Sequence, residues 1–150
     1  MIKIAYPPHP FKIRQENNKE IIFDEVRKLW TRLTPEEWVR QNFLQYLLQV
    51  KKYPAALIAV EREIMLGELR KRFDLLVYNT GYQPWMMVEC KSMNVTLNEK
   101  VLHQVLRYNL SVPVPVLVIT NGSYVAALER KNGEARILEE LPDMPAGLTP

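Results

Sequence analysis

The chain has 150 residues, 47% of them apolar and 25% charged, with a formal net charge of +3 and one cysteine. That length suits a single domain with a sizeable core, and the composition is that of a globular protein rather than a disordered or fibrous one. No apolar run approaches the ~18 residues of a membrane span, and the opening MIKIAYPPHPFKI lacks the long apolar stretch of a secretory signal. Cys90, being alone, can form no internal disulfide. A cytoplasmic location without a membrane partner is therefore expected. The modest positive charge permits a nucleic-acid partner without arguing for one; the clusters at Lys51–Lys52 and Arg70–Arg72 read as solvated surface.

After a Pro-rich lead, FKIRQENNKEIIFD predicts two short strands turning at Asn17–Asn18, an N-terminal hairpin. DEVRKLW predicts a short helix with Asp24 as its cap. TPEEWVRQNFLQYLLQVKKY is the clearest helix: Thr34 can cap it, Pro35 suits its first turn, and Glu37 completes a capping-box pattern. Val39, Phe43, Leu47 and Val50 recur at helical spacing and should face the core.

Three strands follow, AALIAVEREIML, RFDLLVY and WMMVECK, separated by turns at Gly67 and NTGYQP. TLNEKVLHQVLRYNL is a second helix, with Thr96 and Glu99 repeating the capping-box pattern. VPVLVIT is a continuous apolar run, as in a strand covered on both faces. The NG pairs after it punctuate a C-terminal β-meander. The order implies an α/β domain spanning 1–150, with a core of about 34–140 and a mixed central β-sheet flanked by helices. Glycine-rich phosphate loops, CxxC and HExxH are all lacking.

The unusual residues are polar ones inside the strand patterns. Alternation places Trp85, Met87, Glu89 and Lys91 on one face of their strand, with Met86, Val88 and Cys90 on the other. Asp74 shares its face with Leu76 and Tyr78. If these strands are neighbours, Asp74 and Glu89 converge, and two close carboxylates require a proton, a cation or a metal ion as compensation. Mg²⁺ favours carboxylate oxygens plus water, and a nearby lysine stabilises developing phosphate charge. The alternative is a strand-edge aspartate beside a Glu89–Lys91 surface pair worth under ~1 kcal/mol.

On the second helix, Leu97, Val101, Gln104, Val105 and Tyr108 fall on one face. Gln104 is then either a core amide satisfied by backbone or, with Tyr108, a polar lid over the carboxylates. His103 points away from that face and reads as a surface histidine. Glu36 and Glu37 read as structural, Glu37 through the cap and Glu36 through a pairing with Arg40 at i, i+4.

RFD and VECK separated by a turn and followed by QVLRY resemble the PD-(D/E)xK nuclease superfamily. The ordered set TPEEWVRQ, RFDLLVY, VECKS, QVLRYNL and VITNG, from Thr34 to Gly122, is similar to the N-terminal nuclease domain of type I restriction enzyme R subunits. The resemblance implies a restriction-endonuclease-like core and Mg²⁺, with Mn²⁺ as substitute, bound by Asp74, Glu89 and the carbonyl of Cys90. It implies that Lys91 assists the attacking water, that Gln104 and Tyr108 match the QxxxY element, and that an acid on the first helix completes the site, Glu37 by position and Glu36 as fallback. Phe73 stands where the family pattern has proline, which leaves the aspartate ligand intact.

Type I R subunits carry ATP-dependent translocase domains, and this sequence holds no P-loop. The expectation is a stand-alone Mg²⁺-dependent DNA endonuclease that acts on DNA, alone, as a homodimer, or with motor and specificity subunits on other chains. Two alternatives compete with it: a catalytically inactive nucleic-acid-binding or assembly module on the same fold, and a domain whose charges are only surface pairs.

Overall fold

The computed structural model describes residues 1–109 and 112–145, without the side chains of Leu66 and Tyr108. Its central sheet has seven strands: β1 (Ile2–Lys3), β5 (Ile58–Leu66), β6 (Leu69–Tyr78), β7 (Pro84–Cys90), β8 (Val116–Thr120), β9 (Tyr124–Lys131) and β10 (Glu134–Ile137). They lie in the order β1-β9-β8-β7-β6-β5, with β10 also on β9. β7 and β8 run parallel, while the other pairs are antiparallel. A parallel pair needs a crossover, and helix α2 (Glu99–Asn109) lies within it. The architecture is therefore the expected mixed α/β sheet with an antiparallel meander at its C-terminal end.

Helix α1 (Pro35–Gln49) covers one face. Its Val39, Phe43, Leu44 and Leu47 pack with Leu75, Val77, Met86, Val88, Val116 and Val118. Phe73, Leu76, Met87, Val112, Val114 and Leu117 form a second cluster, joined by Leu106 of α2. β8 serves both clusters, which is why all five of its residues are buried. Burial of this apolar area is the main stabilising term. Val50, expected in the core, is exposed at the C-cap of α1. Trp85 also departs from strict alternation, joining Met86 and Val88 in the α1 cluster.

The N-terminal hairpin forms as the sequence suggests, between β2 (Ile13–Glu16) and β3 (Lys19–Asp24). Asn17 and Asn18 both take positive φ, 51° and 63°, as a tight hairpin turn requires. The helix expected over DEVRKLW does not form. That segment turns back instead, and β4 (Leu29–Arg32) adds to β3 as the third strand of a separate sheet. Asp24 Oδ1 accepts from the N–H groups of Val26 and Arg27 at 2.9 and 2.8 Å, so the aspartate caps a turn that has too few residues to become a helix.

The cap on α1 is half the expected box. Thr34 Oγ1 accepts from Glu37 N–H at 3.1 Å, but the Glu37 carboxylate turns to Arg40 and Gln41 instead of back to the cap. At α2 the cap is Asn98, not Thr96: Asn98 Oδ1 accepts from Val101 N–H at 3.0 Å.

Candidate active site

The β6–β7 ladder has its last backbone pair at Leu75 and Val88 on the side of Asp74. Just beyond it, Asp74 Oδ2 accepts from the Cys90 N–H at 2.8 Å, so a carboxylate takes over where the ladder stops. Asp74 Oδ1 accepts from Arg40 Nη1 at 3.3 Å. Burial pushes the Asp74 carboxyl up; the Cys90 N–H and Arg40 pull it down, Glu36 and Glu61 push it up again, and the net direction is upward.

Glu89 is half-buried nearby. Its pKa rises from 4.5 to about 7, first through burial and then through the charge of Asp74; Lys91 and Lys71 oppose the shift and Glu36 adds to it. The charge of Asp74 thus bears on Glu89 and favours a state in which a proton or cation offsets it. Cys90 belongs to the α1 core cluster, and burial holds its thiol well above the ordinary range. The thiol is a core group, so only its main chain is available to a ligand.

A charged network runs from α1 behind Asp74. Arg40 Nε donates to Glu37 Oε2 at 2.8 Å, and its Nη2 donates to Glu37 Oε1. Arg40 Nη2 also lies 3.0 Å from Glu61 Oε1. Glu61 further pairs with Arg27 and Arg72, each at 3.1 Å. Gln41 Nε2 joins Glu37 to Asp24, at 3.1 and 2.9 Å. Buried charges persist only when paired and hydrogen-bonded in this way.

This network revises the first-helix acid. Glu37 is buried with both oxygens engaged by Arg40, so although it lines the same cleft as Asp74 it reaches that aspartate through the Arg40 guanidinium. Arg40 pairs with Glu37 at i, i+3 rather than with Glu36. Glu36 is exposed, and its charge reaches both Asp74 and Glu89, which makes it the acid that α1 turns toward the site.

Gln104 is exposed and lies with Glu99, Lys100, His103 and Arg107 along an open groove on α2. It therefore does not form a buried lid over the carboxylates. The helical phase was legible, but which arc of α2 meets the sheet depends on the crossover. The Tyr108 side chain lies outside the described residues. Arg40 and Glu61 join the site without a sequence motif that marks them. Arg40 reads as a helix-surface cation in sequence, and Glu61 as one of two acids in an apolar strand. The positive φ of 51° at Glu61, which places it opposite Asp74, has no sequence signature.

A cleft of about 290 Å³ opens over Asp74 and Cys90, walled by Thr31, Arg32, Thr34, Glu36, Glu37, Arg40 and Glu61. Glu89 and Lys91 stand beside it rather than in its wall. Among the described residues, no three His, Cys, Asp or Glu side chains converge as a metal cage. What they offer is two carboxylates raised by burial, Glu89 further by the charge of Asp74, and the Cys90 main chain beside them. That set suits Mg²⁺, which takes one or two carboxylates and keeps several waters, better than it suits a metal needing a full protein cage. No helix is long and apolar enough to cross a membrane among the described residues.

Comparison with known proteins agrees with this frame. The chain is similar in fold to a solved structure described as "The fragment structure of a putative HsdR subunit of a type I restriction enzyme from Vibrio vulnificus YJ016", with a TM-score of 0.52 and 19% identity. The match covers 74% of this chain and 24% of that one, so the present chain spans about a quarter of that chain's length. No curated protein matches the sequence. Residues 35–145 match the family model of the type I restriction enzyme R protein N terminus (HSDR_N), from the start of α1 to the end of the described chain. The chain belongs to the type I restriction enzyme R protein N-terminal family.

Proposed function

We propose that the chain is a divalent-metal-dependent DNA endonuclease domain that hydrolyses phosphodiester bonds. The observation that carries this reading is the pairing of Asp74 and Glu89 beside adjacent strand ends, each raised by burial and Glu89 further by the charge of Asp74, with Lys91 two residues on. Such crowding of negative charge on Glu89 is costly unless a cation offsets it. Asp74, Glu89 and the Cys90 carbonyl would hold Mg²⁺, with Mn²⁺ as substitute. When bound, the ion supplies Lewis-acid stabilisation to a phosphoryl group.

The chain's own groups do the rest. The Cys90 N–H fixes one oxygen of Asp74, leaving the carboxylate aimed from a rigid strand end. Lys91 brings a positive charge beside Glu89 and would orient the attacking water and stabilise charge on the phosphate. Glu36 adds negative charge at the rim, where it strengthens cation binding. DNA is the proposed substrate; motor and specificity subunits on other chains, or a second copy, are the proposed partners.

One observation favours the second reading, an inactive nucleic-acid-binding or assembly module. Arg40 already compensates Asp74 and Glu37, so part of the cluster is balanced without a metal. The deciding experiment incubates purified protein with supercoiled plasmid and Mg²⁺ or Mn²⁺, beside Lys91→Ala. Cleavage by the wild type that the variant lacks supports the enzyme. Intact plasmid together with no metal binding by calorimetry refutes it.

A further inference from the structure

The sheet β2-β3-β4 precedes the region that the family model matches, which begins at residue 35. Its two faces differ. Ile22 and Asp24 are buried against the body. The other face follows from the register: Arg14 pairs with Ile21 and Ile21 with Arg32, Glu16 pairs with Lys19, and Phe23 pairs with Trp30. The Phe23 N–H reaches the Lys12 carbonyl at 3.0 Å, which extends the rows by one residue.

On that face the Arg14 guanidinium sits 4.1 Å over the Trp30 ring, and the Lys12 ammonium lies 5.5 Å from the Phe23 centroid. The two rings meet edge-on at 5.4 Å. Lys12, Arg14, Lys19 and Arg32 are all exposed, and Glu16 is the acid on the same face, 3.2 Å from Arg14. Arg32, the last residue of β4, also walls the cleft over Asp74.

We propose that this face of β2-β3-β4 is a platform for single-stranded DNA, which it delivers along Arg32 to the cleft at Asp74. The proposal rests on the nuclease reading for its substrate, but not for its binding chemistry. Cation–π pairing of Lys12 and Arg14 with the two rings could serve only to shield them. That account leaves out Lys19 and Arg32, which continue the positive charge from the hairpin tip to the cleft wall. A row of cations interleaved with aromatic rings is what a sugar-phosphate chain with unstacked bases requires: phosphates meet the cations, and bases stack on rings or on guanidinium planes. A duplex keeps its base faces stacked and could use the cations alone.

The test measures binding of the full chain to a fluorescein-labelled thymidine oligonucleotide, and to a duplex of the same length, by anisotropy in EDTA. Cleavage is then impossible and binding stands alone. Tighter binding of the single strand is expected. The double variant Lys12→Glu/Arg14→Glu should weaken it roughly 10-fold or more and flatten its salt dependence, since each phosphate contact contributes about −0.7 to the slope. Circular dichroism checks that the double variant folds; if it does not, crosslinking of a 4-thiothymidine oligonucleotide to the wild-type chain gives the answer by mass mapping. Crosslinks within residues 12–32 support the platform. No binding, preference for the duplex, undiminished binding by the folded double variant, or crosslinks confined to the α2 groove overturns it. Loss of plasmid cleavage with intact single-strand binding would sink the nuclease reading and leave the platform standing.

Discussion

The Asp74 carboxylate accepts the Cys90 N–H at 2.8 Å, tying a side chain of β6 to the backbone of β7 at the point where their ladder ends. Asp74 therefore has two duties, one structural and one electrostatic, which substitutions can separate. Asp74→Asn keeps an oxygen for the Cys90 N–H but removes the charge. Asp74→Ala also leaves a buried donor unmet, at a cost of about 1–3 kcal/mol. Both variants should lose plasmid cleavage, while only Asp74→Ala should show a clear drop in urea-unfolding stability. Equal loss of stability in the two would show that the hydrogen bond contributes nothing.

Glu89 makes stability depend on pH. Its folded pKa of about 7 lies above the ordinary 4.5, so the folded chain holds a proton that the unfolded chain releases between those values. Its stabilising contribution is fully present below 4.5 and is lost as pH rises through about 7. Glu89→Gln, which cannot ionise, should therefore gain about 2 kcal/mol relative to wild type at pH 8 and little at pH 5. Urea titrations of both proteins at the two pH values check the sign. The comparison with the variant cancels the opposite trend from Asp24 and Glu61, whose carboxyls are lowered.

Arg40 compensates Glu37, Glu61 and Asp74 together. Arg40→Ala leaves Glu37 buried without its main partner and should cost about 3–5 kcal/mol, the range for a broken buried pair. Arg40→Lys keeps the charge but loses the forked contact with both Glu37 oxygens, and should fall between. A double-mutant cycle of Arg40→Ala with Glu37→Gln should recover part of the loss, because the second change removes the stranded charge. Thermal melting of the four proteins reads the coupling; simple additivity would contradict the pairing.

The VITNG segment holds its turn by close approach. Gly122 has φ of +96°, and a Cβ there would meet Tyr6 Oη at 2.9 Å and Val39 Cγ2 at 3.3 Å. Gly122→Ala should cost about 1–3 kcal/mol through strain and displacement of Tyr6. Gly133, also at positive φ but with open space around it, should lose less on the same change. Unfolding midpoints of the two variants decide the order.

Much of this protein is local in origin. The Asn17–Asn18 turn, the Thr34 cap with Pro35 behind it, and the all-buried run of β8 follow from turn chemistry, capping and hydrophobic period, which act over a few residues. The residues of the Asp74, Glu89 and Lys91 set were likewise visible, because acids are conspicuous in apolar strand patterns. The segment after Asp24 carries a helix pattern yet forms a turn, because a turn and a first helical turn use the same capping chemistry and pairing of β4 with β3 decides between them. Only the tertiary structure decided which charges meet. The packing of α1 on the sheet brings Arg40 to Asp74, 34 residues away, and commits Glu37 to Arg40 while leaving Glu36 at the rim. The crossover leaves Gln104 exposed. Sequence fixes the chemistry a residue can perform, but charge interactions act through space, and the distances that govern them exist only once the chain is packed.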